Sequence, residues 1–218
     1  MFPSLLSPLQ RRLLASVAEH LRGVFLTGGC ALGAVYLGHR RSADLDLFTR
    51  EASSFDALVK QFLLLVQVSG LSASPGAAGP GFRRFVVSDG AEDVPVDLAI
   101  DSAPGIAPVL VLPDGLAVDS IEDIAANKLC AILGRAEVRD YVDLYFLAHA
   151  GRDPLAMLDA ARRKDGALDA ATLAFVLSEV RVRRAPEGIE KPLPAEDLQA
   201  FIDDLRRRLA RAAFPQTP

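Results

Sequence analysis

The chain has 218 residues, 50% of them hydrophobic, so it can bury one good core, or that of a compact domain with a smaller helical domain attached. Its formal net charge of −4 provides no global positive field to hold long nucleic acids. Cys30 and Cys130 have no second Cys or His at zinc-ligand spacing, so neither a structural zinc nor a disulfide framework is expected. We expect a cytoplasmic protein, because no apolar run reaches the ~20 residues of a transmembrane helix and no signal-peptide pattern is present.

Helices and strands alternate in the predicted first part of the chain. Apolar residues at a spacing of three and four predict an amphipathic first helix that ends near Gly23. The elements predicted next are a strand at 24–27, a glycine turn, a short helix, a strand at 44–48, a helix at 54–68, and strands within FRRFVVSD and VPVDLAI. The segment SPGAAGPG at 74–81 is expected to be a flexible connection, because it is rich in Gly and Pro.

Only helices are predicted beyond Ser120, and several begin with Ser, Asp or Pro-Ala-Glu-Asp, as helix N-termini commonly do. We therefore predict an α/β (α+β) fold with a mixed sheet in a core at 1–118 and a helical domain at 119–218. The segment EGIEKPLP at 187–194 is expected to be a late linker.

Two carboxylates stand at alternate positions of the predicted strand at 44–48. Asp44 and Asp46 therefore point from one face, about 7 Å apart at Cα, and can reach a shared cation. Asp97 is the single charge inside the apolar run VPVDLAI. If its strand neighbours 44–48, three carboxylates converge, as two Mg²⁺ ions require for nucleotidyl transfer. The alternatives are the polar face of an edge strand for Asp44 and Asp46, and an exposed edge position for Asp97.

Gly28 and Gly29 stand between a predicted strand and helix, where glycine lets backbone N–H groups approach a phosphate. A plain tight turn is the alternative. Ser42 shares the carboxylate face by alternation and is expected beside bound triphosphate, whereas Arg40 either contacts nucleotide or stabilises a turn.

Two blocks of sequence closely resemble the AbiEii/AbiGii toxin family of bacterial nucleotidyltransferases, within the DNA polymerase β superfamily. They are LTGGCAL at 26–32 with Tyr36 and HRRSADLDLF at 39–48, and DIAANKL at 123–129 with Arg135 and RDYVDL at 139–144. The resemblance implies a polymerase β-like core, use of an NTP with Mg²⁺, and a toxin of a toxin–antitoxin or phage-exclusion system. Some members of the family modify the tRNA 3′ end.

Carried over residue by residue, the resemblance implies metal binding by Asp44 and Asp46, and catalytic importance of Lys128 and Asp140. Asp97 as a third metal carboxylate follows the wider superfamily. Nucleotide binding is expected at Gly28, Gly29, Cys30, Arg40, Ser42 and Lys128. Cys30 departs from the Ser or Thr common after the second glycine, which removes a hydroxyl that could bind phosphate.

The second block also has a physical interpretation. Lys128 would neutralise triphosphate charge while Asp140 orients Lys128 or an arginine. The alternative is a solvated helix face on which Arg139 and Asp143 form an ordinary i,i+4 pair.

The expected reaction is in-line attack of an acceptor hydroxyl on the α-phosphate of an NTP, with two Mg²⁺ ions, or Mn²⁺, and departure of pyrophosphate. The resemblance implies the tRNA 3′ end as the acceptor and a cognate antitoxin as a further partner. The Arg clusters of the helical part either form a stripe that engages RNA phosphates or are ordinary solvated faces. The alternatives are a small-molecule or protein acceptor, a non-catalytic nucleotide- or partner-binding protein, and a metal-dependent nuclease.

Overall fold

Residues 2–135, 137–184 and 188–214 are described by the computed structural model of the chain, which divides into two units. The first comprises Met1–Ser102 and Pro108–Ser120, and the second comprises Ala103–Ala107 and Ile121–Pro218. The predicted linker begins outside the described residues. The predicted division into a nucleotidyltransferase core at 1–118 and a helical domain at 119–218 stays a prediction.

The first unit is built on a seven-stranded sheet. Its elements are α1 (Pro8–His20), β1 (Phe25–Thr27), α2 (Gly28–Ala31) with a π-helical continuation (Leu32–Leu37), β2 (Leu45–Thr49), α3 (Phe55–Val68), β3 (Ser72–Gly79), β4 (Phe82–Ser88), β5 (Asp93–Ile100), β6 (Leu110–Val111) and β7 (Ala117–Val118). The strand order is β3-β4-β5-β2-β1-β7-β6. Because β2–β5 and β1–β7 are parallel and the other neighbours antiparallel, the predicted mixed sheet is confirmed.

Alternation of apolar residues places β2 and β5 in the middle of the core. Leu45 and Leu47 of β2 are fully buried, as is Leu98 of β5. Because successive side chains of a strand point to opposite faces, this alternation turns the intervening residues Asp44 and Asp46 to the other side of the sheet. The first helix begins with a capping box, in which Ser7 and Gln10 bond to each other's backbone N–H.

The prediction of a flexible connection at 74–81 is wrong. The segment forms most of β3, an edge strand that pairs antiparallel with β4 and whose register shifts between Pro75 and Ala78. An edge strand bonds to one neighbour only, so a proline, which has no N–H to donate, is tolerated there. Its side chains are small and largely exposed, so the alternation that reveals β2 and β5 is absent from its sequence. The two-residue strands β6 and β7 were not predicted either, since they are too short to show a period.

The second unit is helical. Its helices are α4 (Ile121–Gly134), α5 (Val138–His149), α6 (Leu158–Lys164), α7 (Ala170–Ser178) and α8 (Ala195–Ala213). Asp123 ties the segment 103–107 to this unit, since its carboxylate accepts hydrogen bonds from the N–H groups of Ile106 (3.0 Å) and Ala107 (3.1 Å) and lies 2.8 Å from Lys164 Nζ. Among the described residues, no helix combines the length and the apolar composition needed to cross a bilayer.

Candidate active site

The turn between β1 and α2 lies directly against a carboxylate of β2. Gly28 has a φ of +66°, which side chains rarely adopt, and a Cβ added there would lie 1.9 Å from Asp46 Oδ2. The strand register explains this contact, because Thr27 is paired with Asp46 across β1 and β2. Glycine is therefore required at this position both for its backbone conformation and for the close approach of Asp46.

The second glycine of the turn is covered by two further side chains. A Cβ on Gly29 would lie 2.4 Å from Arg40 Nη2 and 3.0 Å from Ser42 Oγ. Arg40 is 5% exposed and its Nη1 donates to the carbonyl of Arg41 (2.9 Å). The residues that the sequence assigned to nucleotide binding around the turn thus lie together in the structure.

Three carboxylates, Asp44, Asp46 and Asp97, meet at this part of the sheet, and we call them the carboxylate cluster. Asp46 and Asp97 are direct register partners of the parallel pair β2–β5. Asp44 lies just before β2 and accepts a hydrogen bond from Ser42 Oγ (2.8 Å). Since β2 and β5 both lie inside the sheet and Asp97 is 7% exposed, neither edge-strand alternative describes these residues.

Arg84 of β4 is part of this site, and the sequence interpretation missed it. Its Nε and Nη2 donate to Oδ1 and Oδ2 of Asp97, both at 2.6 Å. These hydrogen bonds raise the pKa of Arg84 above its usual value, and the charges of Asp97, Asp44 and Asp46 act in the same direction. A pair of arginines inside the otherwise apolar strand FRRFVVS was the available signal.

Cys30 follows the glycine turn and is 2% exposed. Burial, together with the negative charges of Asp46 and Asp44 and in part offset by Arg40, raises the pKa of its thiol to about 12. The neutral thiol is therefore the favoured form at physiological pH.

The residues of the carboxylate cluster fit a divalent metal in type and charge. Mg²⁺ prefers hard oxygen ligands, which all three residues supply. Within the described part of the chain, no group of three or more Asp, Glu, His or Cys side chains is arranged so that it could hold a metal ion. Both oxygens of Asp97 are bonded to Arg84.

Lys128 and Asp140 lie in the helical unit, within a buried group that we call the lysine cluster. Its members are Lys128, Arg135, Asp140 and Asp143. Lys128 Nζ lies 2.9 Å from Asp140 Oδ1 and 2.6 Å from Asp143 Oδ2, and Arg135 Nε lies 3.0 Å from Asp140 Oδ2. Lys128 is 4% exposed, so a solvated helix face does not describe it, and Arg139 pairs with Glu137 instead of Asp143.

The carboxyl group of Asp140 is held in its ionised form by its neighbours. Burial by itself would raise its pKa, but the hydrogen bond from Arg135 and the charge and hydrogen bond of Lys128 outweigh burial and lower that pKa below its usual value. The sequence predicted that Asp140 orients Lys128 or an arginine. In the structure it contacts both Lys128 and Arg135.

A second network, which the sequence did not reveal, fixes the end of β1. The buried Asp119 accepts a hydrogen bond from Thr27 Oγ1 (2.8 Å), pairs with Arg50 (3.3 Å), and its carbonyl accepts from Tyr36 OH (2.7 Å). Because Thr27 immediately precedes Gly28, this network holds the strand from which the glycine turn departs.

The mixed sheet, the glycine turn and the carboxylates paired behind it define the polymerase β-like class of nucleotidyltransferases. Two crystal structures from Helicobacter pylori share this fold. A protein described as a candidate nucleotidyltransferase has 21% identity and a TM-score of 0.57, with 95% of this chain and 99% of that chain covered. JHP933 has 22% identity and a TM-score of 0.58, with 94% and 92% covered.

The family model for the nucleotidyl transferase AbiEii toxin of type IV toxin–antitoxin systems matches residues 11–217. The chain therefore belongs to the AbiEii family and is a nucleotidyltransferase toxin. No curated protein matches the sequence.

Proposed function

We propose that this AbiEii-family protein transfers a nucleotide from an NTP to the 3′ end of a tRNA. The observation that carries the proposal is the register of the sheet, which pairs Asp46 with Asp97 directly behind the turn at Gly28. Carboxylates beside a phosphate-sized glycine turn are what transfer from a triphosphate requires.

In the proposed reaction the acceptor hydroxyl oxygen forms a bond to the α-phosphorus, and the bond from that phosphorus to pyrophosphate breaks. Asp97 would help to remove the proton of the hydroxyl group. Asp44, Asp46 and Asp97 would hold the divalent ions, Mg²⁺ or Mn²⁺. When bound, these ions would neutralise the charge on the phosphate oxygens and lower the pKa of the acceptor hydroxyl. The backbone N–H groups at Gly28 and Gly29 would bind phosphate oxygens, with the guanidinium of Arg40 and the hydroxyl of Ser42 beside them.

Three side chains would complete the nucleotide site. Ser42 lies beside Asp44, and the guanidinium of Arg40 covers Gly29, so both are within the region that the phosphates would occupy. Cys30 would contribute its backbone, because its thiol is buried and neutral.

Lys128 and Asp140 are proposed to be needed for activity, following the family resemblance. Their contacts within the lysine cluster support a role through the fold of the helical unit, since Lys128 is enclosed by two carboxylates. A direct role on triphosphate would require Lys128 to leave both. Measuring stability together with activity separates the two roles.

RNA as the acceptor is supported by an open cavity in the helical unit that is lined by three arginines and two carboxylates. Arg181, Arg183 and Arg206 line it together with Glu179 and Asp203. The arginines are in excess by one, and guanidinium groups bind phosphates in a two-pronged manner, which is the property an RNA backbone requires. Other basic residues of the clusters are paired within the fold, as Arg207 is with Asp204 and Arg208 with Asp153.

The proposal is tested by incubating the full-length protein with total tRNA and each α-labelled NTP in Mg²⁺, beside an Asp46→Asn variant. We expect label on the RNA 3′ end with one preferred NTP, and none with the variant. Label on the protein itself, or on a small molecule but not on RNA, would replace the proposed acceptor. Absence of transfer to any acceptor would refute the proposed reaction. A cognate antitoxin is proposed from family membership alone.

A further inference from the structure

Arg84 forms an ion pair with Asp97, one of the three carboxylates that are proposed to bind the metal. Its two N–H donors bond to both oxygens of Asp97, at 2.6 Å each, so a cation that approaches these oxygens meets a carboxylate whose charge is already shared with the guanidinium. The strand register makes the pairing specific, because Arg84 is the residue of β4 directly opposite Asp97.

The two partners differ in their freedom to move. The side chain of Arg84 is 44% exposed, whereas that of Asp97 is 9% exposed and is enclosed by strands on both sides. The guanidinium regains hydration when it leaves, which offsets part of the loss of this two-pronged pair. Of the two partners, Arg84 is therefore the one that can move, and Asp97 stays in place.

A divalent ion competes with Arg84 through its charge. Arg84 brings one positive charge to the oxygens of Asp97. A divalent ion brings two, and hard carboxylate ligands suit it.

We propose that Arg84 is a positioning residue that holds Asp97 until a divalent cation replaces it, so that metal entry and release of the arginine form one competitive step. The proposal rests on the proposed function, which assigns the metal to the carboxylate cluster. Without metal, the pair keeps the Asp97 carboxylate in a single orientation and offsets repulsion within the cluster. The Arg84–Asp97 pair would therefore make the affinity for the metal lower than it would be if Asp97 had no partner on β4.

A matched control is available at the neighbouring position. Arg83 points to the opposite face of β4, where its Nη1 donates to the carbonyls of Gly79 (2.6 Å) and Phe82 (2.7 Å). Arg83→Gln therefore changes the net charge as Arg84→Gln does, but leaves Asp97 bound to Arg84.

The experiment is a Mn²⁺ titration of the full-length proteins without nucleotide, with free Mn²⁺ measured by electron paramagnetic resonance. We expect Arg84→Gln to bind Mn²⁺ about tenfold more tightly than the natural protein, which corresponds to about 1.4 kcal/mol. Arg83→Gln should bind as the natural protein does. Arg84→Lys, which keeps the charge but cannot bond to both oxygens, should lie between them.

Equal or weaker Mn²⁺ binding by Arg84→Gln, with the natural protein binding Mn²⁺, would overturn the proposal and leave Arg84 as a cross-strand contact that affects only thermal stability. If Arg84→Gln does not fold, Arg84→Lys decides, and affinity equal to that of the natural protein overturns the proposal. Absence of Mn²⁺ binding in the natural protein and all variants would instead refute the metal site itself, and this inference with it.

Discussion

The carboxylate cluster and the lysine cluster differ in the burial of their carboxylates. In the sheet unit, Asp44 and Asp46 are half-buried, and Arg84 bonds to the third carboxylate, Asp97. In the helical unit, two carboxylates that are completely buried face Lys128, and Arg135 bonds to one of them. Two carboxylates of the first cluster thus have access to solvent, whereas both carboxylates of the second are enclosed.

This difference indicates what each cluster contributes. Exposed, like-charged carboxylates repel each other and raise the energy of the fold unless a cation arrives, so they are kept for binding and catalysis. An enclosed, ion-paired group has no capacity for another ion, and removal of one member leaves an uncompensated charge in a low dielectric. We therefore expect loss of function from changes in the first cluster and loss of stability from changes in the second.

The largest expected effect is on transfer in Asp44→Asn or Asp46→Asn. Either change should lower nucleotide transfer by about 10³-fold or more, because it removes a proposed metal carboxylate. Thermal stability should be unchanged or higher, since repulsion between carboxylates is relieved. Label transfer and thermal unfolding measure the two effects, with the exposed Asp93→Asn as a control. Activity retained in both variants would contradict the site.

The next effect is on stability, in Asp140→Asn. Loss of this carboxylate leaves the lysine cluster with one negative partner for Lys128 and should cost about 3–5 kcal/mol at neutral pH, measured by denaturant unfolding. An equally stable variant with no transfer would instead support a direct catalytic role.

The same variant has a pH signature. The pKa of Asp140 is lowered in the folded protein, so its stabilisation is complete at neutral pH and is lost as the pH falls below about 4, the usual value for Asp. The difference in unfolding free energy between the natural protein and Asp140→Asn should therefore shrink at acidic pH. A difference that does not change with pH would show that ionisation of Asp140 is not its source.

A smaller effect is expected from Gly28→Ala, which tests how closely the turn approaches Asp46. The added Cβ must displace the carboxylate, and misplacement of a reacting group by about 1 Å can lower transfer by ~10²-fold. Gly70→Ala is the matched control, because its φ of +68° imposes the same backbone strain while its Cβ would meet only Arg12 Nη2, at 4.0 Å. Equal activity of the two variants would show that the close approach is not needed.

The smallest effect concerns the arginine cavity of the helical unit. Arg183→Glu with Arg206→Glu should lower RNA labelling about tenfold at physiological salt and reduce the salt slope of RNA binding by about two units, with NTP affinity unchanged. Arg207→Glu is the control, because Arg207 pairs with Asp204 and does not line the cavity. RNA labelling that stays unchanged in the double variant would favour a small-molecule or protein acceptor.

The order of the elements and the carboxylates could be read from the sequence because each leaves a local pattern. The alternation of Leu45 and Leu47 with Asp44 and Asp46 has the period of a strand, and a glycine pair between a strand and a helix marks a turn. These patterns depend only on neighbours along the chain. The edge strand β3 has no such pattern, since its exposed small residues gain their order from pairing with β4.

Contacts between distant residues were decided by the tertiary structure alone. Pairing of Arg84 with Asp97 depends on the register of β4 and β5, and burial of Lys128 between two carboxylates depends on how α4 meets α5. Register and helix packing result from the whole core, because a shift by one residue would turn every side chain of a strand to the other face. The sequence by itself therefore determined which residues carry the charge, and only the folded chain decided which charges neutralise each other and which are left for a ligand.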